Sequence, residues 1–137
     1  MRRFLAALGA AACLLGLPLQ TGVAMAAAPV NHFYWGQCTW WAAHTRSDIG
    51  AVVFGNAANW TRSAQAAGLK TGDAPAPDAI VVYQPGVQGA WGTGHVGHVN
   101  AVDPDGYHFR VDEMNYPWAG VMTQRVSHAG PGVTFIY

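Results

Sequence analysis

The sequence predicts one small α+β domain, with helices first and an antiparallel sheet after them. Two observations carry this. Helix-favouring stretches fall before Gly68, whereas the runs rich in valine and aromatic residues come after Asp78. Those later runs are separated by Gly-, Pro- and Asp-rich turns of the kind that join antiparallel neighbours. Length agrees: of 137 residues, the N-terminal fifth reads as a targeting segment, and roughly 110 remain for a single domain.

That segment has three parts. Met1-Arg2-Arg3 is a short positive start, Phe4 to Leu19 is an uncharged run rich in Ala and Leu, and Ala24-Met25-Ala26 is a small-x-small cleavage site. The run spans 16 residues and contains Gly9, Gly16 and Pro18, so it falls short of the roughly 20 apolar residues that cross a bilayer. We therefore read residues 1–26 as a secretory signal peptide and 27–137 as the domain. The expected location is secreted, periplasmic or associated with the cell wall, with no stable membrane anchor after cleavage.

The first expected helix starts at or just before Cys38, where Cys-Thr-Trp-Trp-Ala-Ala-His holds no Gly or Pro and follows the flexible Trp35-Gly36-Gln37. A second covers Ala57 to Ala67 and stops at Gly68. Thr71 to Asp78, rich in Pro and Asp, reads as a loop, and Ala79 to Tyr83 as a short buried strand. Gln84 to Gly94 carries four glycines and a proline, a loop long enough to expect function from it. Val96 to Val102, the turn Asp103 to Gly106, and Tyr107 to Asn115 form a hairpin, and Val133 to Tyr137 adds an edge strand. Most of the six tryptophans are expected in the core, as bulky rings dominate burial in small domains.

Composition narrows the function. Arg2 and Arg3 leave with the leader, so five of the seven Lys and Arg face seven Asp and Glu. No basic cluster remains, which argues against a nucleic-acid partner. Of the two cysteines, Cys13 also leaves, and Cys38 stands alone in an exported domain. A lone thiol in an oxidising compartment is either a small apolar filler or is kept for its reactivity.

Its setting favours reactivity. A thiol at a helix start faces unpaired backbone N–H groups and the positive end of the helix dipole, both of which favour thiolate. Cleaving an amide also needs a group that changes protonation near neutral pH, which is histidine. Six histidines are present, and Gly94-His95-Val96-Gly97-His98-Val99 places His95 and His98 at the strand that follows the long loop. Either serves as base on this reading. Side chains alternate in a strand, so positions 95 and 98 point to opposite faces and do not share a metal ion. No cofactor is expected.

Glu113 and Asn115, two apart on the returning strand, share a face, and either could hold the base. The Gln37 amide or the Cys38 N–H could bind a developing oxyanion. Trp91 and Trp118, in Gly- or Pro-flanked loops, are candidates to line a groove for sugar or peptide.

Four ordered motifs then coincide: Gly36-Gln37-Cys38-Thr39-Trp40, Asn56-Ala57-Ala58-Asn59-Trp60, Gly94-His95-Val96 and Glu113-Met114-Asn115-Tyr116. Together they resemble the CHAP domains, cysteine, histidine-dependent amidohydrolases/peptidases, from about Trp35 to Tyr137. Asp78-Ala79-Ile80 departs from the family's glycine-containing entry to the first strand. The resemblance implies a papain-like fold and cleavage of amide or peptide bonds in bacterial peptidoglycan, as an N-acetylmuramoyl-L-alanine amidase or an endopeptidase. It also implies Cys38 as nucleophile, His95 as base and Glu113 as third catalytic residue, with Asn115 a further polar position of the site. The alternatives are an amidase on a small peptide or amide conjugate, or a noncatalytic wall-binding module. Such a hydrolase needs no partner subunit, so a monomer is expected.

Overall fold

A computed structural model describes residues 29–137, so the proposed leader at 1–26 lies outside the described residues. Helix α1 spans Cys38–Thr45, α2 Ser47–Gly50 and α3 Trp60–Ala66, with a 3-10 turn at Ala57–Asn59 leading into α3. The strands are β1 Thr71–Gly72, β2 Ile80–Tyr83, β3 His95–Val102, β4 His108–Met114, β5 Met122–His128 and β6 Val133–Ile136. They form one antiparallel sheet in the order β1-β6-β2-β3-β4-β5. The expected α+β class, helices against an antiparallel sheet, is the one observed.

Period-two alternation sets the two faces. On β2 all four residues are buried: Ile80 and Val82 pack with Val96, Ile136, Ala42, Ile49 and Trp60 on the helical side. Val81 and Tyr83 join Val99, Phe109, Val111 and Phe135 on the other. Phe109 and Phe135 close that second layer. β6 and β4 are three strand spacings apart, about 14 Å in a flat sheet, yet the Phe109 and Phe135 ring centroids lie 5.3 Å apart. A register shift between Val99 and Ala101 on β3 adds the local twist that a bulge supplies.

Several expectations change. Val133–Ile136 is an interior strand, hydrogen-bonded to both β1 and β2, because Val133, Phe135 and Ile136 are buried and leave no edge to expose. Thr71–Gly72, read as loop, pairs with Ile136 and Phe135. β5 was not foreseen at all. Nor are the tryptophans mostly core: Trp60 is fully buried, Trp40 and Trp41 are half-buried, and Trp35, Trp91 and Trp118 are exposed.

Candidate active site

Cys38 is the first residue of α1, and Gln37 before it is extended, with φ −97° and ψ 155°. Gly36 has φ +89°, and a Cβ there would lie 3.2 Å from the Gly120 nitrogen, which donates to the Gly36 carbonyl at 2.9 Å. Only glycine gives the chain this approach without strain. The Gln37 side chain does not cap α1, so first-turn N–H groups stay open beside the thiol.

His95 opens β3 directly after Gly94, whose φ is +78°. A Cβ on Gly94 would meet the Ala58 nitrogen at 2.7 Å and the Tyr83 carbonyl at 2.8 Å, so the long loop closes tightly on the 3-10 turn. His95 is 5% exposed. Its Nε2 lies 2.9 Å from Glu113 Oε2, and it lines one hollow together with Cys38. With Nε2 engaged by Glu113, Nδ1 is the nitrogen left for the thiol. Burial alone would depress the imidazole pKa, but Cys38 and Glu113 beside the ring outweigh it and raise it to about 9.

Glu113 on β4 is fully buried. Its second oxygen, Oε1, accepts from Arg125 Nε on β5 at 2.6 Å. The guanidinium carbon lies 4.4 Å from the Tyr116 ring centroid and 5.0 Å from that of Tyr83. Burial opposes the charge on Arg125, and the bond to Glu113 raises its pKa nonetheless. The Tyr83 hydroxyl, pushed upward by burial, donates to Ser127 Oγ at 2.7 Å.

Glu113 and Asn115 do not act on the same partner. β4 ends at Met114, and Asn115 has φ +60°, so alternation stops and its side chain swings elsewhere. Asn115 Nδ2 donates to Gln37 Oε1 at 2.8 Å. With that oxygen taken, Gln37 offers its Nε2–H groups as donors beside Cys38.

His95 and His98 face opposite sides, as the register shows: His95 pairs with Tyr83, and His98 with Ile80. His98 Nε2 sits 2.8 Å from Asp78 Oδ1, away from the thiol.

Two hollows meet at Cys38 and Gln37. One of about 450 Å³ is lined by His32, Phe33, Tyr34 and Asn56 among others, the other of about 190 Å³ by Trp91, His95, Asn115 and Pro117. Trp91, 80% exposed, borders the smaller hollow, while Trp118 lines neither. Arg125 went unnoticed in the sequence, and Tyr83 and Tyr116, read as strand and motif residues, were given no role in the site. The one available signal was the alternation Thr123, Arg125, Ser127, whose inward positions are polar.

A thiol at a helix start, an imidazole and a buried carboxylate thus come together on a helix-backed antiparallel sheet. The chain belongs to the CHAP domain family, whose model matches residues 28–115. It is 36% identical over 98 residues to the probable autolysin LDP of Staphylococcus aureus, covering 69% of this chain and 33% of that protein. It is 32% identical over 111 residues to N-acetylmuramoyl-L-alanine amidase sle1 of Staphylococcus saprophyticus, covering 78% of this chain and 32% of that one. The chain thus spans about a third of the length of these relatives. A crystal structure of N-acetylmuramoyl-L-alanine amidase from Staphylococcus aureus superposes with a TM-score of 0.65 at 29% identity, over 74% of this chain and 30% of that one. The crystal structure of Ly7917, at 21% identity and TM-score 0.51 over 80% of this chain and 55% of that one, shares the fold.

Proposed function

We propose that the protein is an exported cysteine hydrolase that cleaves amide bonds in bacterial peptidoglycan, with residues 1–26 as leader and 27–137 as catalytic domain. The observation that carries this is the line Cys38–His95–Glu113 at the divide between two hollows. The naming of family relatives as amidases and autolysins supports peptidoglycan as the substrate and the sugar–peptide amide as the bond. Every group in the line comes from one chain, so a monomer suffices.

In this reading the Cys38 sulfur attacks the amide carbonyl, and its proton resides on His95 Nδ1. The carbonyl electrons move to oxygen, where the Gln37 Nε2–H and the Cys38 backbone N–H are the candidate donors. As the C–N bond breaks, the imidazolium gives its proton to the leaving amine. Water then cleaves the thioester with His95 as base, and Glu113 keeps the ring in place throughout. Asn115 orients Gln37, and Trp91 and Trp118 are the proposed flanking contacts for the wall polymer.

The test is digestion of purified peptidoglycan, with fragments analysed by mass spectrometry. Freed stem peptides are expected from the wild type and none from a folded Cys38→Ser variant, because an alcohol lacks the nucleophilicity of the thiolate. New peptide amino termini would reassign the bond to an endopeptidase, and an unchanged wall would sink the substrate. Equal turnover by both proteins would sink the mechanism.

A further inference from the structure

We infer that Arg125 is a positioning residue for the Cys38–His95 pair, acting through Glu113 to hold that pair in its charged form. The inference rests on the proposed nucleophile and base. A carboxylate as deeply buried as Glu113 is costly to keep ionised without a cation beside it. Arg125 Nε meets it at 2.6 Å and is the terminal charge of a line that alternates in sign. Thiolate, imidazolium, carboxylate and guanidinium come from α1, β3, β4 and β5 in turn. The line as a whole is neutral, which is what a dry site tolerates.

Geometry makes Arg125 suited to this. Its guanidinium lies between the Tyr83 and Tyr116 rings, a stacking that a planar cation exploits and an ammonium does not. The same Tyr116 ring lies 5.5 Å from the His95 ring, so one side chain packs against both ends of the Glu113 bridge. The other titratable groups beside the line are His32 and Tyr34, in the hollow next to Cys38, and the two phenols packed on Arg125. The hydroxyls of these two phenols are turned aside, Tyr83 to Ser127 Oγ and Tyr116 to the Gln88 carbonyl.

The sign of the effect follows from charge. With thiol, imidazolium and carboxylate, the three groups sum to zero; after the thiol loses its proton they sum to minus one. A fixed cation favours the second state. Removing the cation therefore makes that proton harder to lose, and the acidic limb of Cys38 reactivity moves to higher pH. A residue that merely supported the fold would lower stability and leave this limb in place.

The test measures the rate of Cys38 alkylation by iodoacetamide against pH, read on the Cys38 peptide by mass spectrometry, for wild type, Arg125→Gln and Arg125→Lys. The readout needs no wall substrate. We expect Arg125→Gln to react about tenfold more slowly than wild type on the acidic side of neutrality, the lower end of what a nearby charge does. Arg125→Lys should restore the position of the limb, while wall turnover recovers only in part because a single ammonium does not stack. Should Arg125→Gln fail to fold, the pair Arg125→Lys and Arg125→Met carries the same comparison. Superimposable profiles for wild type and a folded neutral variant would overturn the inference. A wild-type profile no different from that of a free thiol would overturn the Cys38–His95 reading beneath it.

Discussion

Replacing Glu113 by Gln changes one atom and tests how the site is wired. The carboxylate accepts twice, from Arg125 Nε at 2.6 Å and from His95 Nε2 at 2.9 Å. A carboxamide accepts at one end and donates at the other. Arg125 has no acceptor, so the amide oxygen must turn to it and the NH₂ to His95. Nε2 then has to accept, which moves the ring hydrogen to Nδ1, the nitrogen facing Cys38. A protonated Nδ1 takes no proton from the thiol, and the imidazolium would set two donors against each other. A wrong-tautomer substitution of this kind in a serine protease costs about 10⁴ in turnover. We expect a loss of about 10³ to 10⁴ here, equivalent to roughly 4–5.5 kcal/mol of barrier. Stability should fall by about 1–3 kcal/mol, less than for a fully buried broken pair, because Arg125 keeps one acceptor and is partly exposed. Turnover on soluble wall fragments gives the first number and urea denaturation the second. Glu113→Ala, which leaves room for a water acceptor, should be the milder of the two. A folded Glu113→Gln protein within about tenfold of wild-type turnover would refute the assignment of Glu113 as the residue that orients His95.

Three further outcomes are expected. His95→Ala should fold and lose several orders of magnitude in turnover, whereas His98→Ala removes only a bond to exposed Asp78 and should cost about 1 kcal/mol or less; the reverse pattern in paired assays would show that the wrong histidine was chosen. Because the His95 pKa is raised to about 9, the proton for the leaving amine is retained above the usual histidine range, and kcat/KM should fall only as pH rises through about 9; an alkaline limb near the ordinary imidazole value would contradict the bonds drawn to it. Gly94→Ala combines a positive φ with backbone contacts under 3 Å, and should lower stability by about 2–4 kcal/mol and turnover with it; an unchanged melting temperature would mean that the loop is looser than described.

By itself the sequence determined the class of fold, the helix carrying Cys38, the strands carrying His95 and Glu113, and the separation of His95 from His98. These depend on local chemistry: a glycine before the thiol, another before the imidazole, and side chains alternating along a strand. What it did not reveal has one physical root. β5 reads poorly because its inward positions, Thr123, Arg125 and Ser127, are polar; they serve Glu113, the Tyr116 carbonyl and the Tyr83 hydroxyl, while Met122 and Val126 lie outward and exposed. Hydrophobic periodicity is inverted wherever the buried face is a polar network. The division of labour between Glu113 and Asn115 was equally hidden, since it turns on one left-handed residue ending β4. And Arg125 reaches Glu113 as a diagonal neighbour on the next strand, since Val111 pairs with Arg125 and Glu113 with Thr123, a register between β4 and β5 that no window of sequence contains.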